Sequence, residues 1–189
     1  MTVHVDRETL RRSPLAHRAA EFAALRGPVR LVEEPFRPQL NLRTRAGEAL
    51  GMRLPGPNRV TGDEHLAALW LGPDEWLLFG TTRQPAAYRS AVDVSAARTA
   101  LRLHGTAARD LLSKLCSIDL HPRSFAPGHV AQTLVARVQV VIWQLDDEPT
   151  YRLLVRNSFA DHLAAALLDA AAEHADLPRQ RGTDVPWNS

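Results

Sequence analysis

One cysteine, Cys116, and one lysine, Lys114, are all that 189 residues contain of those two types. A single thiol excludes an intrachain disulfide and any multi-cysteine zinc or iron–sulfur site built from this chain alone. Cys116 lies among Leu111, Leu112, Leu115 and Ile118, which reads as a small core residue. A nucleophilic thiol needs a base and an electropositive setting, and neither can be located from the sequence. With lysine nearly absent, the positive charge is arginine, and the net charge is only +2. The arginines are scattered, with Arg11 and Arg12 the one adjacent pair, so the basic stripe of a nucleic-acid-binding protein is missing. No apolar run approaches the roughly 20 residues that cross a bilayer. The segment Met1 to Arg12 is polar and carries Asp6 and Glu8, unlike a signal peptide. A soluble, cytoplasmic protein is expected, acting on neither membrane nor nucleic acid.

Several catalytic signatures are absent as well. There is no G-x-G-x-x-G, no phosphate loop of the G-x-x-x-x-G-K-[ST] type and no G-x-S-x-G elbow. The eight histidines include no i, i+4 pair of the kind that holds zinc on a helix. Together these absences favour a binding or structural role over catalysis.

What is present reads as α+β. Ser13-Pro14 followed by Leu15, Ala19, Phe22 and Leu25 predicts a capped amphipathic helix ended by Gly27-Pro28. Val29–Glu33 and Gln39–Thr44 alternate as strands do, and Arg45–Met52 suggests a short helix. Ala67–Leu71 and Glu75–Phe79 flank Gly72-Pro73-Asp74, a hairpin with a tight turn. Gln84–Ala91 is a connection or short helix. Val92–Val94 and Thr99–Leu103 follow as strands, then Thr106–Cys116 as a helix. Val130–Ala136, Val138–Leu145 and Tyr151–Val155 are three more strands, the first two joined near Arg137. A final helix starts at Asn157 or Ser158 and runs to about His174. Antiparallel neighbours with segregated helices argue against a doubly wound sheet. Residues 1–12 read as a flexible N-terminus and 13–174 as a single two-lobed domain. Its lobes fall at roughly 13–90 and 91–174, and residues 175–189 form a C-terminal tail.

The candidate functional residues fall in three groups, each with a plainer alternative. Gln39, Asn41 and Arg43 give one strand a polar face, which is either merely exposed or a docking surface. Trp70 and Trp76 lie on the two arms of the hairpin around Asp74. They suit core, interface or stacking on a flat ligand such as a pterin. Asp146 and Asp147 form a solvated turn before Glu148-Pro149, or a carboxylate pair acting as a general base or binding a cationic substrate.

Several segments taken together form a recognisable signature. They include Ser13-Pro14-Leu15, Gln39-Leu40-Asn41-Leu42-Arg43, Leu54-Pro55 and Pro57-Asn58. The most specific is the run Leu71-Gly72-Pro73-Asp74-Glu75-Trp76-Leu77-Leu78 within 68–78. Asp93-Val94-Ser95, Arg98-Thr99, Gly105 with Ala108 to Leu112, Phe125, Gly128, Gln132-Thr133 and Ser158-Phe159-Ala160 continue it. Together these segments resemble the gamma subunit of heterotetrameric sarcosine oxidase, and the likeness runs from about Ser13 to His174. It implies a two-lobed antiparallel fold akin to the folate-binding aminomethyltransferases. It also implies a non-catalytic role beside alpha, beta and delta subunits that hold FAD, FMN, NAD, zinc and tetrahydrofolate. Such complexes oxidise sarcosine to glycine, forming hydrogen peroxide and 5,10-methylenetetrahydrofolate. No catalytic, cofactor or metal residue is carried over to this chain. A free-standing folate-binding one-carbon transferase is the alternative.

Overall fold

Strand alternation sorts the side chains of this chain into layers. The computed structural model describes residues 11–83 and 90–175. The expected flexible N-terminus up to Leu10, most of the Gln84–Ala91 connection and the tail beyond Ala175 lie outside the described residues. The strands are β1 (Arg30–Glu34), β2 (Gln39–Arg43), β3 (Glu48–Ala49), β4 (Met52–Arg53), β5 (Val60–Gly62) and β6 (Ala67–Gly72). They continue as β7 (Glu75–Phe79), β8 (Ala91–Asp93), β9 (Arg98–His104), β10 (Val130–Val135), β11 (Val138–Asp146) and β12 (Thr150–Arg156). A 3₁₀ turn at Ala16–Arg18 leads into α1 (Ala19–Ala24), and α2 (Ala108–Leu115) and α3 (Asn157–Ala175) follow.

Two five-stranded sheets result, ordered β1-β9-β12-β11-β10 and β5-β6-β7-β2-β8, with every strand pair antiparallel. On one face of the first sheet, Leu31, Leu101, Leu103, Ile142 and Leu153 meet apolar side chains of the helices, including Phe22, Leu111, Leu163 and Leu167. On its other face, Val141, Trp143 and Leu154 pack against Leu69, Leu77 and Phe79 of the second sheet. The far side of that second sheet is covered by the β3–β4 hairpin, where Ala49 and Leu54 join Leu40, Leu42, Trp76 and Leu78. The helices therefore lie on one side only, as α+β packing requires.

Three local readings change. Ser13 accepts a bond from the Leu15 amide at 3.1 Å and donates its hydroxyl to the Glu33 carboxylate. Pro14 lies in the turn ahead of the helix, which is shorter than its apolar period suggested. Arg45–Met52 is no helix: Leu50 and Gly51 both take positive φ, 52° and 75°, and turn the chain into the β3–β4 hairpin. Burial of Ala49 against the outer sheet face holds it there. The two sheets also do not divide near residue 90. β1 pairs with β9 and β8 with β2, because Leu31 belongs with Leu101 and Leu103 in the helix-side core.

A buried arginine sits where the sheets face each other. Arg152 of β12 is 1% exposed, and its Nε and Nη2 donate to the Glu34 carboxylate at 2.5 and 2.8 Å. Its Nη1 donates to the Glu64 carbonyl, in the β5–β6 connection, at 3.0 Å. The guanidinium lies 4.5 Å from the Phe79 ring centre and 5.0 Å from that of Trp143. Those two rings meet edge-to-face at 6.1 Å. Arg102 adds a 2.7 Å pair with the Glu64 carboxylate. Glu34 is partly exposed and also lies 3.9 Å from Arg102, so it is the buried Arg152 charge that would be stranded by loss of its partner.

Glu34→Leu, which leaves Arg152 only the Glu64 carbonyl, is expected to destabilise the chain by about 3–5 kcal/mol in urea unfolding. Adding Arg152→Leu to it should recover much of that loss, because no buried charge is then left alone. A second contact ties the N-terminal turn to α3: Arg18 and His17 reach the exposed Asp161 carboxylate at 2.5 and 2.7 Å. These bonds, Arg18 first, hold the Asp161 carboxyl down at about 2 instead of 3.8. The contact therefore stabilises fully above the ordinary value and is lost as pH falls through about 2. Carboxyl NMR titration should return Asp161 toward 3.8 in Arg18→Gln.

Candidate functional site

β2 turns its polar row toward the side of the first sheet, because Gln39, Asn41 and Arg43 lie opposite Phe79, Leu77 and Glu75. Gln39 is fully buried, with its side-chain amide 3.4 Å from the Arg98 carbonyl. Asn41 donates to Glu75 Oε1 and Arg43 to Glu75 Oε2, each at 2.7 Å. Only Arg43 of the three is exposed. Glu75 thus organises the open end of this row.

Trp70 and Trp76 face each other across β6 and β7, on the opposite side of the same sheet. Trp76 is buried and donates its indole N–H to the Pro55 carbonyl at 2.9 Å, while Trp70 is half-buried against the same cluster. Asp74 holds the hairpin turn at φ 57°, its carbonyl accepting from the Thr44 amide at 3.1 Å and its carboxylate 3.5 Å from Arg45. Asp146 ends β11 with one carboxylate oxygen buried and unpartnered, and Asp147 is exposed in the turn that follows. The eight sequence candidates thus fall into separate groups: a row between the sheets, a pair on the outer face with a turn residue, and a turn on the first sheet.

Sequence reading passed over the most unusual electrostatic feature. Arg98 of β9 and Arg156 of β12 stand directly opposite one another, on the face turned toward the second sheet. Like charges in that register repel. Arg98 borders two small cavities. One, of about 100 Å³, also meets Arg156, Gln132 and Gln139. The other, of about 170 Å³, also meets Arg11, Arg12, Phe36, Ser95 and Asn157. Burial, then Arg156, pushes the Arg98 guanidinium below its ordinary value, with Glu75 opposing. The Arg98-Thr99 dipeptide was the available signal, but pairing with Arg156 depends on strand register. A larger apolar groove, about 600 Å³, runs between α1 and the edge strand β1, past Phe22, Leu31 and Val32.

No described helix is long and apolar enough to cross a membrane. Among the described residues no three His, Cys, Asp or Glu side chains gather to hold a metal. The antiparallel sheets provide no parallel strand–helix–strand crossover, the unit that cradles a dinucleotide, so these residues do not fit a flavin or nicotinamide site of that kind. The geometry defines an α+β domain of two antiparallel five-stranded sheets with its helices packed on one side. Comparison with known proteins makes the assignment specific. A sequence model described as "Sarcosine oxidase, gamma subunit family" matches residues 41–173. The sarcosine oxidase subunit gamma of Corynebacterium sp. (strain U-96) is 38% identical, covering 89% of this chain and 94% of that one. Its counterpart from Corynebacterium sp. (strain P-1) is 34% identical over 92% and 96%. A chain of the heterotetrameric sarcosine oxidase from Corynebacterium sp. U-96, solved with pyrrole 2-carboxylate, superposes with a TM-score of 0.79 at 35% identity. It covers 89% of this chain and 98% of that one. The chain belongs to the sarcosine oxidase gamma subunit family.

Trp76→Asp is expected to leave no folded protein, whereas Trp76→Phe keeps the fold and costs about 1–2 kcal/mol by loss of the Pro55 bond and some packing. Thermal melts followed by circular dichroism separate the two.

Proposed function

We propose that this chain is the non-catalytic gamma subunit of a heterotetrameric sarcosine oxidase, acting in the cytoplasm beside alpha, beta and delta subunits. The supporting observation is its match to nearly the whole of one chain of such a heterotetramer, 98% of it, at a TM-score of 0.79. In this reading FAD, FMN, NAD, zinc and tetrahydrofolate are bound by the partner subunits. The assembly oxidises the N-methyl amine sarcosine to glycine, reduces oxygen to hydrogen peroxide and passes the one-carbon unit to tetrahydrofolate. The role assigned to this chain is to present shaped surface. Val32, Phe36, Val92, Leu134 and Phe159 are large apolar side chains exposed on the free chain. Stable subunit contacts bury such groups. Residues 13–174 act as one unit in this proposal, with a fold akin to the aminomethyltransferases.

A free-standing folate-binding transferase needs an open pocket for the pterin with an acid near its reactive nitrogens. The space between the sheets is filled by Phe79, Trp143 and Leu154, with Arg152 bonded to Glu34 among them, so that layer offers no such pocket.

Gentle affinity purification of the tagged chain from its native host is expected to bring down a yellow complex of this chain with three other polypeptides. That complex should release peroxide when given sarcosine. A colourless, monomeric chain with no such activity contradicts the proposal.

A further inference from the structure

We infer that the Arg98–Arg156 ledge is the docking point for a carboxylate-bearing segment of a partner subunit, an inference that rests on the subunit reading above. Two guanidiniums placed side by side across β9 and β12 repel, and no described carboxylate lies within ion-pair distance of either. The nearby acids are already engaged. Glu75 is held by Asn41 and Arg43, Asp93 by the Ser95 hydroxyl at 2.6 Å, and Glu33 by Ser13 and Thr99. The positive field is reinforced on both sides of Arg98. Arg11 and Arg12 border the cavity that Arg98 and Asn157 share, and α3 begins at Asn157 with no acidic residue in its first turn. Among the described residues this ledge lacks a paired counter-charge.

The surroundings indicate where the counter-charge comes from. Leu134, opposite Gln139 on β10 and β11, is 54% exposed, and Gln139 borders the same cavity as Arg156. Phe36 is 42% exposed and borders the other cavity, and Phe159, 50% exposed, stands in the first turn of α3. A charge flanked by exposed aromatic and aliphatic side chains is the composition of a contact centre between proteins. A free inorganic oxyanion would use the arginines and gain nothing from these apolar groups. Cavities of about 100 and 170 Å³ suit single Asp or Glu side chains reaching in from a flat partner surface.

The test co-expresses the tagged chain with its partner subunits and compares wild type with R98Q, R156Q and the double variant. Each single substitution is expected to weaken retention in the complex at least about tenfold, with dissociation at lower sodium chloride than wild type. The full chain itself should melt at the same or a higher temperature, since an opposed like charge is gone. Arg156 is exposed, so R156Q decides the matter if R98Q fails to fold. Folded variants that keep wild-type salt tolerance overturn the inference. So does stabilisation of the chain by millimolar inorganic phosphate that R98Q abolishes while assembly is unchanged, which assigns the ledge to a free oxyanion. A wild-type chain that never joins the complex refutes the subunit reading itself, a result separable from both.

Discussion

The buried ion pair between Arg152 and Glu34 is the constraint around which this fold is arranged. Arg152 is almost wholly inaccessible, and each of its three guanidinium nitrogens has a fixed acceptor. Those acceptors belong to β1 and to the β5–β6 connection, so one side chain links the edge of the first sheet to the second sheet. Stacking of the guanidinium on Phe79 and Trp143 closes the space between the layers. A purely apolar filling could supply equal burial, but it would accept several relative placements of the sheets. Bidentate and stacked geometry accepts few.

Local structure was legible in the sequence where local rules decide it. The Gly72-Pro73-Asp74 hairpin, the β10–β11 turn near Arg137 and the long α3 follow from turn chemistry and apolar period. The fold class follows from the order of these elements. Non-local choices were not legible. Nothing in Arg30–Glu34 announces that its partner is β9, some 70 residues on, and nothing in Ala91–Asp93 announces a return to β2. Arg45–Met52 has helical composition, yet tertiary burial of Ala49 overrides it.

The candidate site shows the same division. The polar alternation of Gln39, Asn41 and Arg43 was visible, but whether it faced solvent or a second sheet depended on packing. Burial of Gln39 and capture of Glu75 by the other two decided that. Arg152 lies in a strand whose residues are buried from Thr150 to Val155, where no period separates an ion-pairing residue from its neighbours. The Arg98–Arg156 opposition is a matter of register alone. What the sequence did carry plainly is a set of short segments whose order marks the family, and the comparisons agree with it.

The role proposed for this chain is that of a contributor of surface within an assembly whose chemistry sits elsewhere. Native mass spectrometry of the intact complex, with stepwise ejection of subunits, tests that most directly. The account predicts one copy of this chain alongside three different polypeptides. On ejection this chain should leave at its bare sequence mass, with flavin, nicotinamide and zinc retained by the others. Flavin, nicotinamide or metal mass departing with this chain would contradict it.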